Sequence, residues 1–164
     1  SYMRKIGEEP ISVYITIPDG DVPKYLFNDF KKALHPIYKF DSAPEKRFAI
    51  VCEQSVEVIK WLRPAAKQFN LFYGNGQRYE PDFVVETSDT MYLVEIKGED
   101  KLNDENNLLK KQRAVRYCQV ASVYASGHGL KRWKHLYIPS QQVQTNSSFT
   151  MLAKRFEVTE ENEE

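Results

Sequence analysis

The spacing of apolar residues changes several times along this 164-residue chain, and each change marks an element. Ile11 to Ile17 alternates apolar and polar positions with β-branched residues and stops at Pro18-Asp19-Gly20-Asp21, the pattern of a short strand or extended arm ending in a turn. Tyr25 to Leu34 carries apolar residues at helical spacing. That pattern predicts a helix halted by the His35-Pro36 step, because a residue before proline disfavours helical backbone. Ser42-Ala43-Pro44-Glu45 reads as a capping box, with Ser42 as N-cap, proline in the tolerant first turn and Glu45 at the reciprocal position. The helix it opens should run to about Gln54. Val56 to Leu62, a helical turn or short strand, ends at Arg63-Pro64, and Gly74-Asn75-Gly76 marks a loop.

The period then shortens to two. Tyr79 to Thr87 and Met91 to Lys97 are rich in Val, Phe, Tyr and Ile and flank the turn formers Ser88 and Asp89, which predicts a hairpin. Gly98 closes it. Asn103 or Asp104 can cap a following helix that carries Lys110, Lys111, Arg113 and Arg116, and Gly127 and Gly129 end that helix. Trp133 to Ile138 reads as a last core strand, with Trp133 and Tyr137 as packing residues. After Pro139 a polar stretch leads to the short apolar segment Phe149 to Phe156 and then to an acidic tail expected to fray.

Composition narrows the class. A 41% hydrophobic and 13% aromatic content suffices for one packed domain. The longest apolar runs, such as Ala49 to Cys52, are too short for a membrane span or a secretory segment, so a soluble, cytoplasmic setting is expected. Cys52 and Cys118 make no disulfide framework and share no zinc spacing with His35, His128 and His135. With Ser1-Tyr2 ahead of Met3, the chain reads either as a fragment of a larger parent or as carrying an added leading scar.

Formal net charge is zero, but the average conceals a division. Five of the 23 acidic residues lie in 157–164, which holds no base, so the rest carries 18 acids against 23 bases. Nine acids fall between Tyr79 and Glu105, whereas Asn106 to Phe156 has none and holds nine bases. An acidic centre therefore abuts a basic surface. A basic face recruits a polyanion by releasing its counterions, and the acids supply a place for a metal.

The hairpin sharpens this. If Ser88 and Asp89 form a two-residue loop, Thr87 pairs with Thr90 and Asp82 falls opposite Glu95, at a Cβ separation of roughly 4.5–5.5 Å. Lys97, two residues on, shares the face of Glu95. Opposed carboxylates repel and resist double ionisation, so the arrangement calls for a cation. Phosphodiester hydrolysis needs a phosphate oxygen neutralised, a hydroxide generated and a leaving oxyanion stabilised, all of which an oxygen-liganded magnesium ion promotes. Asp82 and Glu95 are the candidate ligands, joined by the backbone carbonyl of Ile96. Lys97, an ammonium whose pKa can fall on burial, is the candidate for orienting water or phosphate.

Pro81-Asp82 followed by Glu95-Ile96-Lys97 resembles the PD-(D/E)XK nuclease signature, and Ser42 through Lys46 with Phe48-Ala49 resembles the first-helix motif of that superfamily. Ser42-Ala43-Pro44-Glu45-Lys46, Tyr79-Glu80-Pro81-Asp82-Phe83, Val94-Glu95-Ile96-Lys97-Gly98 and Trp133 through Pro139 look most like the C-terminal nuclease domain of the restriction subunit of type III restriction enzymes. The match spans roughly Ser42 to Phe156. It implies a restriction-endonuclease-like α/β fold, a mixed central sheet flanked by helices, occupying 42–156 between an arm of unclear role (1–41) and the tail (157–164). It also implies metal ligation by Asp82 and Glu95, activation by Lys97, an auxiliary carboxylate at Glu45, and a DNA-facing lysine at Lys111 with Lys110, Arg113 and Arg116 beside it. Implied partners are magnesium, replaceable by manganese, double-stranded DNA, a helicase or ATPase domain in the parent chain and a methyltransferase modification subunit. No helicase or ATPase motif lies in these residues. The alternatives are a catalytically silent DNA-binding or docking module of the same fold and a junction-resolving or transposon-end nuclease.

Overall fold

The computed structural model of the chain describes residues 9–65, 69, 71–73 and 76–159. In chain order its elements are β1 (Ile11–Ser12), β2 (Phe27–Asn28), α1 (Ala43–Gln54), β3 (Val58–Leu62), β4 (Leu71–Tyr73), β5 (Gln77–Tyr79), β6 (Phe83–Thr87), β7 (Thr90–Lys97), α2 (Glu105–Ser126), β8 (Arg132–Pro139), α3 (Phe149–Phe156) and β9 (Glu157–Val158), with short 3-10 turns between. The centre is a five-stranded mixed sheet in the order β3-β6-β7-β8-β9. β7 and β8 are parallel and the other neighbours antiparallel. Parallel neighbours need a crossover, which α2 supplies. The chain is thus a mixed α/β structure. Among the described residues no helix is long and apolar enough to cross a membrane.

Strict alternation divides the sheet between two cores. Phe83, Val85, Val94, Ile96, Leu136 and Ile138 face α1 and α3, where Phe48, Val51, Cys52, Phe149 and Leu152 meet them. Val84, Leu93 and Trp133 face the opposite way, toward Leu71, Tyr79, Ala114 and Cys118. Burial on both faces explains why the central strands contain few polar residues. Two of the charged residues they do hold, Glu95 and Lys97, lie at the end of β7.

The hairpin register matches expectation. The ladder runs from Phe83 opposite Val94 to Glu86 opposite Met91, and Ser88 and Asp89 form the loop. Thr87 and Thr90 are joined through the Thr87 hydroxyl, which receives the Thr90 N–H at 3.3 Å. Tyr79 is not part of this strand. It closes the separate β4–β5 hairpin, because Pro81 has no N–H to continue a ladder. Of the two candidate caps, Asp104 serves, accepting the Asn107 N–H at 3.4 Å. The following helix runs to Ser126, and Gly129 turns the chain with φ of 67°.

Elsewhere the chain departs from its local pattern. The helix expected over Tyr25–Leu34 does not form: Phe27–Asn28 pairs in parallel with Ile11–Ser12, and Phe27 exchanges both backbone bonds with Tyr38 at 2.8 and 3.0 Å. Apolar spacing there serves an aromatic cluster instead, in which Phe30 sits edge-on to Tyr38, Phe40 and Trp61. Only Ile11–Ser12 of the expected first strand pairs as a strand, and the turn at Pro18 opens a 3-10 helix over Asp19–Lys24. The capping box is also altered, since Ser42 caps without a side-chain bond and Glu45 Oε1 accepts the N–H of Asp41, at 2.8 Å. Val13, Val22, Phe27, Tyr38 and Phe40 join the α1 core, so residues 9–41 are packed into the fold. Glu157–Val158, assigned from sequence to a fraying tail, pairs with β8 as the edge strand, while 160–164 lie outside the described residues.

Glu53 fastens the N-terminal segment, its carboxylate accepting the N–H groups of Lys31 (2.6 Å) and Lys32 (2.9 Å) and the Trp61 indole N–H (2.8 Å). Removing it strands three donors. Urea unfolding of Glu53→Ala should read a loss of about 2 kcal/mol, whereas a loss within experimental error would show that Glu53 does not anchor this segment.

Candidate active site

The end of β7 gathers the charged groups. Asp82 lies one residue beyond the last ladder pair of β6 and brackets Glu95 from both sides. Its N–H donates to the Val94 carbonyl at 3.0 Å, and its Oδ2 accepts the Ile96 N–H at 2.8 Å. Where Pro81 ends the backbone ladder, the aspartate side chain supplies the acceptor that the strand no longer offers. Glu95 is 5% exposed, and Lys97 Nζ stands 3.3 Å from its Oε1. The sequence-predicted trio is therefore together.

Its electrostatics follow from burial. Desolvation, then the charge of Glu95, pushes the Asp82 carboxyl well above its usual range, with the Ile96 N–H and Arg63 opposing. Burial also raises Glu95 against the pull of Lys97. Two such carboxyls resist carrying two charges without a cation. Lys97 moves contrary to expectation: burial draws its pKa down, but Glu95, Asp82 and Glu45 together outweigh that and raise it. It is a fixed cation at neutral pH.

Glu45 arrives from α1, on the opposite face of the sheet. It is 8% exposed, and its Oε1 lies 3.0 Å from Arg63. Burial, then the negative charge of Asp82, raises its pKa to about 7, while Arg63 and the Asp41 N–H hold it back. Arg63 was read from sequence only as a strand stop. It stands over the rings of Phe40 and Phe83 at 5.5 and 5.3 Å, and reaches Asp41 Oδ2 at 3.5 Å. A charged residue before proline is ordinarily solvated, so no local signal distinguished it.

The basic helix divides by direction. Lys111 Nζ lies 5.1 Å from the centre of the Tyr137 ring, and Lys110 Nζ 6.0 Å from that of Tyr79. Both rings border Glu95: β8 pairs Tyr137 with it, and its charge, after burial, raises both phenols, Tyr137 to about 12. Arg113 is half-buried and Arg116 exposed, and no contact joins either to the carboxylates among the described residues.

A divalent cation would meet suitable donors here. Asp82 and Glu95 offer hard oxygens and more negative charge than Lys97 offsets, and Glu95 Oε2 is buried with no hydrogen-bond partner. Among the described residues no three His, Cys, Asp or Glu side chains converge as a metal cluster. The protein would thus supply two carboxylates and the Ile96 carbonyl, a sparse set of the kind suited to magnesium, which retains several waters. No protein-family model matches the chain, and no curated protein sequence matches it.

The Glu45 carboxyl binds its proton more tightly when folded, near pH 7, than its reference value of 4.5 in the open chain, so its contribution to stability is full below pH 4.5 and is lost as pH rises through about 7. Buried His135, held near 4 against a reference of 6.5, acts in the other direction as acid is added, so the variant must be compared with the parent at each pH. Glu45→Gln should melt above the parent at pH 8, with the gap closing toward pH 4.5. A variant that melts below its parent at pH 8 would show that the Arg63 ion pair outweighs the burial of Glu45.

Proposed function

We propose that this chain is a magnesium-dependent endonuclease domain that hydrolyses DNA phosphodiester bonds, with a restriction-endonuclease-like fold of the PD-(D/E)XK type and a role as the cleavage module of a type III restriction enzyme. One observation carries the reading: Asp82, half-buried just ahead of β6, and buried Glu95 of β7 lie together, with Lys97 on one carboxylate and Lys110 and Lys111 on the rings beside it. Sheets ordinarily avoid opposed acids, so a buried pair is better explained by an ion than by packing. The resemblance of the surrounding motifs supports the same conclusion.

Each residue then has a task. Asp82, held by the Ile96 N–H, and Glu95 would hold the ion, with the Ile96 carbonyl as a further donor. A bound magnesium ion supplies Lewis-acid polarisation of the phosphate and a more acidic water. Lys97, kept protonated by the carboxylates around it, orients the scissile phosphate and steadies its developing charge. Glu45, with its pKa near 7, can exchange a proton at neutral pH, the property an auxiliary acid or base needs. Lys110 and Lys111 hold the flanking backbone, Arg113 and Arg116 add longer-range attraction, and the wider protein would draw on a motor domain and a modification subunit.

A second reading, a silent DNA-binding module of this fold, is favoured by the absence of a three-ligand cluster among the described residues. Magnesium or manganese titration by calorimetry separates the two, since a silent module should give no heat that Glu95→Ala removes. With either ion the chain or its parent should nick or cut duplex DNA. Asp82→Ala, Glu95→Ala and Lys97→Ala should each slow cleavage at least about 100-fold while leaving the melting transition cooperative. Unaltered cutting by Asp82→Ala would refute the mechanism. For DNA binding, Lys111→Ala should reduce the slope of log affinity against log salt by about 0.9, the share of one phosphate contact.

A further inference from the structure

Tyr79 is the unexplained group in the site. It closes β5, three residues ahead of Asp82, and is 4% exposed. Its hydroxyl is among the buried polar atoms with no hydrogen-bond partner, and so is Glu95 Oε2. The two side chains stand within hydrogen-bonding reach of each other without an aligned bond between them. A phenol hydroxyl is an O–H donor, and here it stands beside an oxygen that lacks one. Tyr137, on the strand next to Glu95, has no such freedom, since its hydroxyl donates to the Leu102 carbonyl at 2.9 Å.

A glutamate carboxylate turns easily about its last torsion, which is broad and two-fold. Lys97 restrains one oxygen, Oε1, at 3.3 Å. A second restraint on Oε2 would fix the plane of the group and therefore the direction in which its lone pairs meet an ion. We propose that Tyr79 is a positioning residue: its hydroxyl donates to Glu95 Oε2, locking that carboxylate between Lys97 and the phenol so that it faces a divalent cation shared with Asp82. The cation in this inference rests on the metal-binding reading of the Asp82–Glu95 pair; the Tyr79–Glu95 bond does not.

The test uses the full chain with Tyr79→Phe, Glu95→Gln and the double variant. The phenylalanine keeps the ring under Lys110, so only the hydroxyl is lost. In urea unfolding, the effect of Tyr79→Phe should largely vanish in the Glu95→Gln background, whereas additive effects would overturn the proposal with or without an ion. In manganese titration by calorimetry, Tyr79→Phe should bind roughly tenfold more weakly than the parent, the lower end expected for loss of a ligand-orienting partner. Unchanged affinity would likewise overturn it. In cleavage assays kcat should fall while KM stays near the parent value, a split that simple loss of packing does not produce. A parent chain that binds no manganese removes the metal-binding reading instead, and the unfolding cycle still decides whether Tyr79 holds Glu95.

Discussion

Two carboxyl groups shut away from water within one hairpin impose the condition that the rest of the structure answers. Each would be comfortable alone, since Asp82 accepts a backbone N–H and Glu95 has Lys97 beside it. Together, burial raises the proton affinity of both and the charge of Glu95 raises that of Asp82 further, and no apolar packing relieves that tension. The surrounding charges follow from it. Lys97 is held as a cation, Arg63 stands over two rings on the side of Glu45, and two lysines of α2 stand over the tyrosines that border Glu95.

The two faces of the sheet contribute differently. Glu95 lies on the face covered by α2, which brings Lys110 and Lys111 toward it beside Tyr79 of β5 and Tyr137 of β8, while Glu45 comes from α1 on the other face. Arg63 joins these halves, because Phe40 and Asp41 hold it from the N-terminal segment and Phe83 holds it from β6. Residues 9–41 are therefore not peripheral to the site. Phe40 and Asp41 help to keep Arg63 against Glu45.

Accuracy of the sequence reading tracked how local the governing interaction was. The β6–β7 register was legible because a two-residue loop fixes pairing, and one slipped residue would turn Phe83, Val85, Val94 and Ile96 out of their core. The helix beginning after Ser42 was legible from its proline and acid, although the glutamate reached Asp41 rather than completing the box. The segment Tyr25–Leu34 misled, since its apolar spacing suits a helix equally well until Tyr38, Phe40 and Trp61 arrive from elsewhere to form an aromatic cluster.

The sequence by itself determined the hairpin, its turn and the meeting of Asp82 with Glu95 and Lys97, because side-chain direction alternates with fixed period along a strand and a short loop leaves one register. It also determined the division of charge that sets a basic helix after an acidic centre. Only the tertiary structure decided that Arg63 holds Glu45, that Lys97 gains proton affinity rather than losing it, that Tyr79 lies buried beside Glu95, and that two of the four helix bases rest on rings beside it. Each of these depends on residues distant in the chain and on the exclusion of water around them. Desolvation and long-range charge have no period, so nothing in the order of residues announces them.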